Sequence, residues 1–248
     1  MVSASKTSKH TISVCLSPLQ YSVYHKPGNL VVLIDVIRAT TVICTALNYG
    51  AESILPLSDI QTTLDLKQKG YLVAGERDSQ KLSGFDCGNS PLEFASQKIE
   101  GKCIAITTTN GTQALSHIPP GTEIVAGSWV NFDILVDYLI ASENNILLLC
   151  AGWKNAISIE DTLFAGQVAK KLLDSEKFTY ETDAVSLALL TAQNAGNSEL
   201  EFILKHSPRL RQKFETLQKD VEFCLLKNSQ PVVPFMFDRT FKKAKIKR

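Results

Sequence analysis

The chain has 248 residues, of which 26 are basic and 25 acidic, for a formal charge of +1. That balance argues against a dedicated nucleic-acid binder, because counterion-release binding needs a strong positive surplus. With 44% hydrophobic and 21% charged residues, the chain lies near the globular average and should fold.

In chain order, residues 1–10, MVSASKTSKH, read as a flexible tail. No apolar h-region follows them, so they are not a secretory signal. Strand ISVCL from Ile12 opens a single α/β domain expected over 11–240. Strand VVLID from Val31 leads to a helix over 41–48, SILPL from Ser53 to one over 58–69, and YLVAG from Tyr71, through a loop, to one over 91–99. CIAIT from Cys103 precedes a helix over 112–117, EIVAG from Glu123 one over 132–142, and ILLLC from Ile146 one over 161–174.

Short β-branched runs alternating with helical periods are the signature of βα units on a parallel sheet. Several strands are apolar at nearly every position, which suits cover on both faces. The expected fold is therefore α/β: a largely parallel sheet with helices on both faces, in α/β/α layers. From about residue 177 the pattern turns mainly helical, over 182–195, 199–205 and 208–226, and this part is expected to pack on the α/β body. The last apolar run, PVVPFMF from Pro231, carries two prolines and reads as an edge strand or an extended arm. Residues 241–248 read as a solvated basic tail.

No apolar run approaches the roughly 20 residues that cross a bilayer. The six cysteines form no CxxC pair and the four histidines are scattered. They read as reduced residues of a cytoplasmic protein, and any metal should be a hard one held by oxygen.

Ligands of open parallel sheets sit outside the carboxyl ends of the strands, so the turn after each apolar run carries the chemistry. The first turn holds Asp35, Arg38, Thr40 and Thr41. Hydroxyls at a helix start cap free N–H groups, that terminus attracts anions, and Arg adds a fork of donors for phosphate. The alternative is that Asp35 and Thr40 only cap the helix and Arg38 pairs with Asp35. The second turn delivers Glu76 and Arg77, then a loop with Asp86, Asn89 and Ser90. Such a loop can hold Mg²⁺ or merely reverse the chain.

In the third turn, Thr107, Thr108, Thr109, Asn110, Gly111 and Thr112 make a hydroxyl-rich, oxyanion-binding passage or an ordinary Asn-Gly turn; the Walker pattern is absent. The fourth holds Cys150 and Gly152, followed by Ser158, Glu160 and Asp161. The acidic pair reads equally as a helix cap, and Cys150 more as a packing residue than a nucleophile. Four such turns concentrate polar chemistry on one edge of the sheet.

These blocks resemble the 2-phosphosulfolactate phosphatases, the ComB family of Mg²⁺-dependent phosphatases associated with coenzyme M biosynthesis. The resemblance is carried, in order, by D-V-x-R-A-T-T at 35–41, G-E-R at 75–77, G-F-D-x-G-N-S-P at 84–91, T-T-T-N-G-T at 107–112, and C-A-G followed by S-x-E-D within 150–161. It implies hydrolysis of 2-phospho-3-sulfolactate to 3-sulfolactate and phosphate. Asp35, Arg38 and Glu76 are then the expected catalytic residues. Expected substrate contacts are Thr40, Thr41, Arg77, Asn89, Ser90, Thr108, Thr109, Asn110, Gly111, Thr112, Cys150 and Gly152.

Asp35, Glu76, Asp86, Glu160 and Asp161 are the expected Mg²⁺ ligands. Asp35 is followed by Val36 and Ile37 rather than by the Asp-x-Thr continuation of haloacid dehalogenase phosphatases, which favours direct attack by metal-activated water. The alternatives are a Mg²⁺-dependent phosphomonoesterase for a different small phospho acid, or a non-catalytic protein that binds a phosphorylated metabolite. Carboxylates beside an anion favour an enzyme, since like charge repels the ligand unless a cation lies between them. The expected partner is a small anionic phosphomonoester, with neither nucleic acid nor membrane, and a homodimer is left open.

Overall fold

In the computed structural model, which describes residues 9–244, the first half of the chain alternates strands and helices. The order is β1 (His10–Cys15), α1 (Tyr21–Tyr24), β2 (Leu30–Ile34), α2 (Ala39–Asn48), β3 (Ser53–Pro56), α3 (Ile60–Asp65), β4 (Leu72–Arg77) and β5 (Gln80–Lys81). It continues with α4 (Pro91–Ser96), β6 (Cys103–Thr107), α5 (Gly111–Ser116), β7 (Ile124–Gly127), α6 (Phe132–Ser142), β8 (Ile146–Cys150) and α7 (Ile159–Asp174). The remainder comprises β9 (Phe178–Tyr180), α8 (Asp183–Asn194), α9 (Glu199–His206), α10 (Pro208–Cys224), β10 (Pro234–Phe237) and β11 (Thr240–Lys243).

The strands form one mixed, mostly parallel sheet in the order β5-β4-β6-β3-β11-β10-β7-β2-β8-β1-β9. The period-2 alternation of strands sorts its core into two layers. Leu30, Val32 and Ile34 of β2, with Ile146, Leu148 and Cys150 of β8, pack with α6, α7 and α8 on one face. Val31 and Leu33, with Leu147 and Leu149, point to the other face, against Val42, Ile43 and Ala46 of α2. The fold is α/β, and the all-apolar strands are those covered on both faces.

Two expectations for the C-terminus need correction. PVVPFMF is neither an edge strand nor an arm: β10 lies inside the sheet between β7 and β11, and the β10–β11 hairpin joins two parallel blocks. Pro234 is tolerated because its missing N–H falls at the first residue of β10, one position before pairing with β7 begins at Phe235. The basic tail expected from 241 begins instead as a strand, in which Phe241 is fully buried opposite Ile54 of β3; residues 245–248 of that tail lie outside the described residues. At the other end, His10 already pairs with Phe178 in the sheet, and residues 1–8 of the expected N-terminal tail lie outside the described residues.

Candidate functional site

Asp35 follows the last residue of β2. The turn that carries it is tied down from several directions. The Thr40 N–H donates to the Asp35 carbonyl at 2.9 Å, and the Asp35 N–H donates to Thr40 Oγ1 at 3.2 Å. Thr41 Oγ1 donates to the Val36 carbonyl at 2.8 Å and lies 2.5 Å from Ser128 Oγ. Both threonine side chains are fully buried in these bonds, so they build the turn rather than line a ligand space.

Asp35 itself is only 6% exposed. One carboxylate oxygen accepts the first N–H of α2, from Ala39, at 3.4 Å. Burial is the main cause that pushes its carboxyl from 3.8 up to about 6; the Ala39 N–H opposes the rise, the charges of Glu76 and Glu160 add to it, and Arg209 opposes it.

Arg38 does not pair with Asp35. Its guanidinium is ion-paired with Asp220 of α10, whose second oxygen accepts a hydrogen bond from Ser90 Oγ at 2.5 Å. The pair is buried, and it links the β2–α2 turn and the α4 start to the last long helix.

Glu76 is buried and holds the neighbouring loops. One oxygen accepts from the N–H and hydroxyl of Thr109 at 3.0 and 3.1 Å, the other from the Ser79 N–H at 2.8 Å. Two residues expected nearby turn elsewhere. Arg77 donates to the Glu76 carbonyl at 2.6 Å, to the Ser58 carbonyl at 3.3 Å and to Thr107 Oγ1 at 3.1 Å, because its side chain alternates away from that of Glu76 along β4. Asp86 pairs with Lys67 at 2.5 Å and accepts from the Val73 N–H at 3.0 Å, so it braces the outer loop.

The hydroxyl-rich turn divides in the same way. Thr112 Oγ1 donates to the Thr108 carbonyl at 2.5 Å and Thr109 holds Glu76, whereas Thr108 and Asn110 face the cleft. Gly111 opens α5 so close to Asp35 that an added Cβ would sit 3.1 Å from Asp35 Oδ2. Glycine is needed there for that approach.

The acidic pair lies in the first turn of α7 and does not cap it. Ser158 caps α7 by accepting from the Asp161 N–H at 3.4 Å, and both acids turn inward. Asp161 accepts from the N–H groups of Val36 and Gly152, each at 3.0 Å, and so clamps the β2 and β8 turns together. Burial and the charges of Glu160 and Asp35 raise its carboxyl well above the usual range. Glu160 pairs with Arg209 of α10 through one oxygen, while the other is buried without a partner.

Cys150 is fully buried in the core beside Leu148, and burial raises its thiol far above the range of a reactive thiolate. It therefore contacts no ligand space. Cys150→Ala is expected to keep turnover within about tenfold of wild type at a stability cost of roughly 1 kcal/mol; a folded variant with no activity would establish thiol catalysis.

What remains is a narrow cleft of about 30 Å³, lined among others by Asp35, Arg38, Glu76, Asn89, Thr108 and Arg209. Two of its side chains, Asn89 through Oδ1 and Thr108 through Oγ1, are buried without a hydrogen-bond partner. A larger groove of about 640 Å³ lies elsewhere, between the β10–β11 turn and the α5–β7 loop, and shares no residue with this constellation.

Three residues that sequence reading missed, Arg209, Trp153 and Asp220, help to build the cleft, and two of them come from α10. A signal was present: Arg209, Lys213, Leu217 and Asp220 recur at helical spacing and make one stripe. Nothing in the sequence shows which body that stripe faces.

The described residues contain no ready-made cluster of three His, Cys, Asp or Glu side chains suited to a metal. Mg²⁺ needs less than that, because it keeps several waters and is bound by one or two carboxylates together with substrate phosphate. Asp35 and the unpartnered oxygen of Glu160 fit such a site. Asp86 and Asp161 do not, being taken by Lys67 and by backbone N–H groups.

A family model described as 2-phosphosulpholactate phosphatase matches residues 15–239, a span that includes α10. A Thermotoga petrophila protein named "Probable 2-phosphosulfolactate phosphatase" is 41% identical over 211 residues, 85% of this chain and 90% of its own length. Proteins of the same name from Thermotoga maritima and Caldanaerobacter subterraneus are 39% and 37% identical, covering 85% and 82% of this chain and 90% and 86% of their own.

Proposed function

The chain belongs to the 2-phosphosulpholactate phosphatase family and is a phosphoric monoester hydrolase, and we propose that it hydrolyses 2-phospho-3-sulfolactate to 3-sulfolactate and phosphate with Mg²⁺ as cofactor. The observation that carries this reading is the pairing, in one cleft, of a buried carboxylate at Asp35 with the guanidinium groups of Arg38 and Arg209. A cleft built of opposite charges at close range suits an anion that must be both bound and attacked by a polarised nucleophile.

Asp35 and Asn89 Oδ1 are acceptors for the two O–H bonds of an attacking water, which turns a lone pair toward phosphorus. In the metal-free protein its carboxyl lies near 6, so Asp35 is ionised at neutral pH and accepts the water's hydrogen bond as a carboxylate. Arg38, held in place by Asp220, and the free hydroxyl of Thr108 are donors for the phosphoryl oxygens. Asp35 and Glu160 would hold Mg²⁺, which when bound offsets the charge of the phosphoryl oxygens and of the leaving alkoxide. Glu76 and Asp161 act through the loops they clamp. The six free cysteines among the described residues support a reducing compartment, and we place the reaction in the cytoplasm as a step of the coenzyme M biosynthesis type.

The test is phosphate release from 2-phospho-3-sulfolactate and other small phosphomonoesters by the protein before and after chelation and metal removal. Activity on the phosphosulfolactate should fall at least about a hundredfold without metal and return with Mg²⁺. Full turnover by metal-free protein would remove Mg²⁺ from the mechanism, and release from another phospho acid alone would reassign the substrate.

A further inference from the structure

Helix α10 closes the cleft with more positive charge than the phosphate alone accounts for. Arg209 and Lys213, one helical turn apart, lie over the ring of Trp153 at 4.7 and 5.0 Å from its centroid. Trp153 follows β8, so the stack docks α10 onto the edge of the sheet where Asp35 emerges. Each cleft guanidinium has a carboxylate partner, Arg38 with Asp220 and Arg209 with Glu160. Lys213 has none among the described residues, and donates only to Ser79 Oγ at 3.2 Å. Ser79, Trp153 and Arg209 all line the cleft. An ammonium held at a cleft wall by a neutral hydroxyl and an aromatic face is poised for an anion that the protein does not itself supply.

We infer that Lys213, steadied with Arg209 on Trp153, binds one of the two anionic groups of the substrate that are not transferred, and so selects phosphomonoesters that carry a carboxylate or sulfonate near the ester carbon. The inference rests on the phosphatase reading above and adds its basis for substrate choice. The cleft is about 30 Å³, room for only a few water molecules. A ligand therefore enters by replacing Ser79 Oγ on Lys213 with its own oxygens, and the roof of the site rearranges around that exchange. Arg38 and Asp35 line the same cleft, and there the phosphoryl group is bound in the reading above. Cations held against an aromatic ring hold a fixed anion at lower entropic cost than freely mobile side chains would.

Binding and turnover are measured on the full chain as wild type, Lys213→Met, Lys213→Arg and Trp153→Phe. Tryptophan emission reports binding at this wall, since the other tryptophan, Trp129, is fully buried. Titration of wild type with 3-sulfolactate should give a saturable emission change that Trp153→Phe abolishes. Lys213→Met should weaken 3-sulfolactate about tenfold or more, the scale of one lost charge-assisted bond, and weaken inorganic phosphate at least fivefold less than that. Lys213→Arg should recover most of the difference.

In turnover, Lys213→Met should raise KM for 2-phospho-3-sulfolactate more than it lowers kcat. A parallel rise for 2-phospholactate assigns the carboxylate to Lys213, and its absence assigns the sulfonate. Equal weakening of 3-sulfolactate and phosphate, or no weakening of either, would overturn the inference, as would the absence of saturable binding. If wild type binds 3-sulfolactate in this way but releases no phosphate from any ester, the phosphatase reading fails while the anion site stands.

Discussion

Asp35→Asn is expected to lose at least about a hundredfold in kcat, roughly 2.7 kcal/mol of transition-state stabilisation, while melting at a higher temperature than wild type at pH 7.5. The two effects have one cause. Asparagine keeps the shape and the acceptor for the Ala39 N–H, but it neither draws a proton from water nor offers a charged ligand. The stability gain follows from linkage. A carboxyl raised from 3.8 to about 6 in the folded protein binds its proton more tightly there than in the unfolded chain. Its contribution is therefore fully present below about pH 4 and is lost as pH rises through about 6, which costs the metal-free protein on the order of 3 kcal/mol above that pH. Asparagine never ionises. Thermal melts in EDTA from pH 4 to 8 should show the variant ahead at high pH and level with wild type near pH 4. A variant that keeps more than a tenth of wild-type turnover, or melts below wild type at pH 7.5, would return Asp35 to a capping role.

Asp220→Ala is expected to damage stability and activity together, although Asp220 belongs to the last helix and touches the reaction only through Arg38. Removing it leaves the buried Arg38 guanidinium without its counter-charge and Ser90 without its acceptor. Breaking one partner of a buried pair costs about 3–5 kcal/mol. At roughly 2–4 °C per kcal/mol for a domain of this size, the melting temperature should fall by about 10 °C. Below its melting range the variant should turn over at least about tenfold more slowly, because an unanchored Arg38 no longer presents a fixed fork to phosphate. Asp220→Asn keeps an acceptor for Ser90 and should fall between the two. Calorimetry with steady-state kinetics on one preparation checks this, and a variant that melts within 2 °C of wild type would show the pair to be ornamental.

The alternation of apolar runs and helical periods determined the α/β class, the seven strands that carry the body of the sheet, and the edge on which the polar turns emerge. Strand and helix periodicity are local properties, and a strand apolar at every position, such as β8, can be stable only when both faces are covered. Local sequence also carried the recurring blocks at Asp35, Glu76 and Thr107 to Thr112, because each lies at a strand end, and those at Asp35 and Thr107 to Thr112 run directly into a helix start. The direction of each side chain was not local. Arg77 and Asp86 stand within blocks that carry the family resemblance, yet the pleat of β4 and the ion pair with Lys67 turn them away from the cleft. Cys150 ends its strand in register with Ile34, and that register places it in the core rather than in the cleft.

The C-terminal pieces lay furthest from the reach of sequence. The prolines of PVVPFMF argued for an edge, and only long-range pairing with β7 and β11 places that strand inside the sheet. Helix α10 reads as a charged surface stretch until the fold brings Asp220 to Arg38, across 182 residues, and Arg209 to Glu160, across 49. The stripe of Arg209, Lys213, Leu217 and Asp220 shows which residues share a helix face but not which body that face meets, so the tertiary structure alone decided that this helix roofs the site.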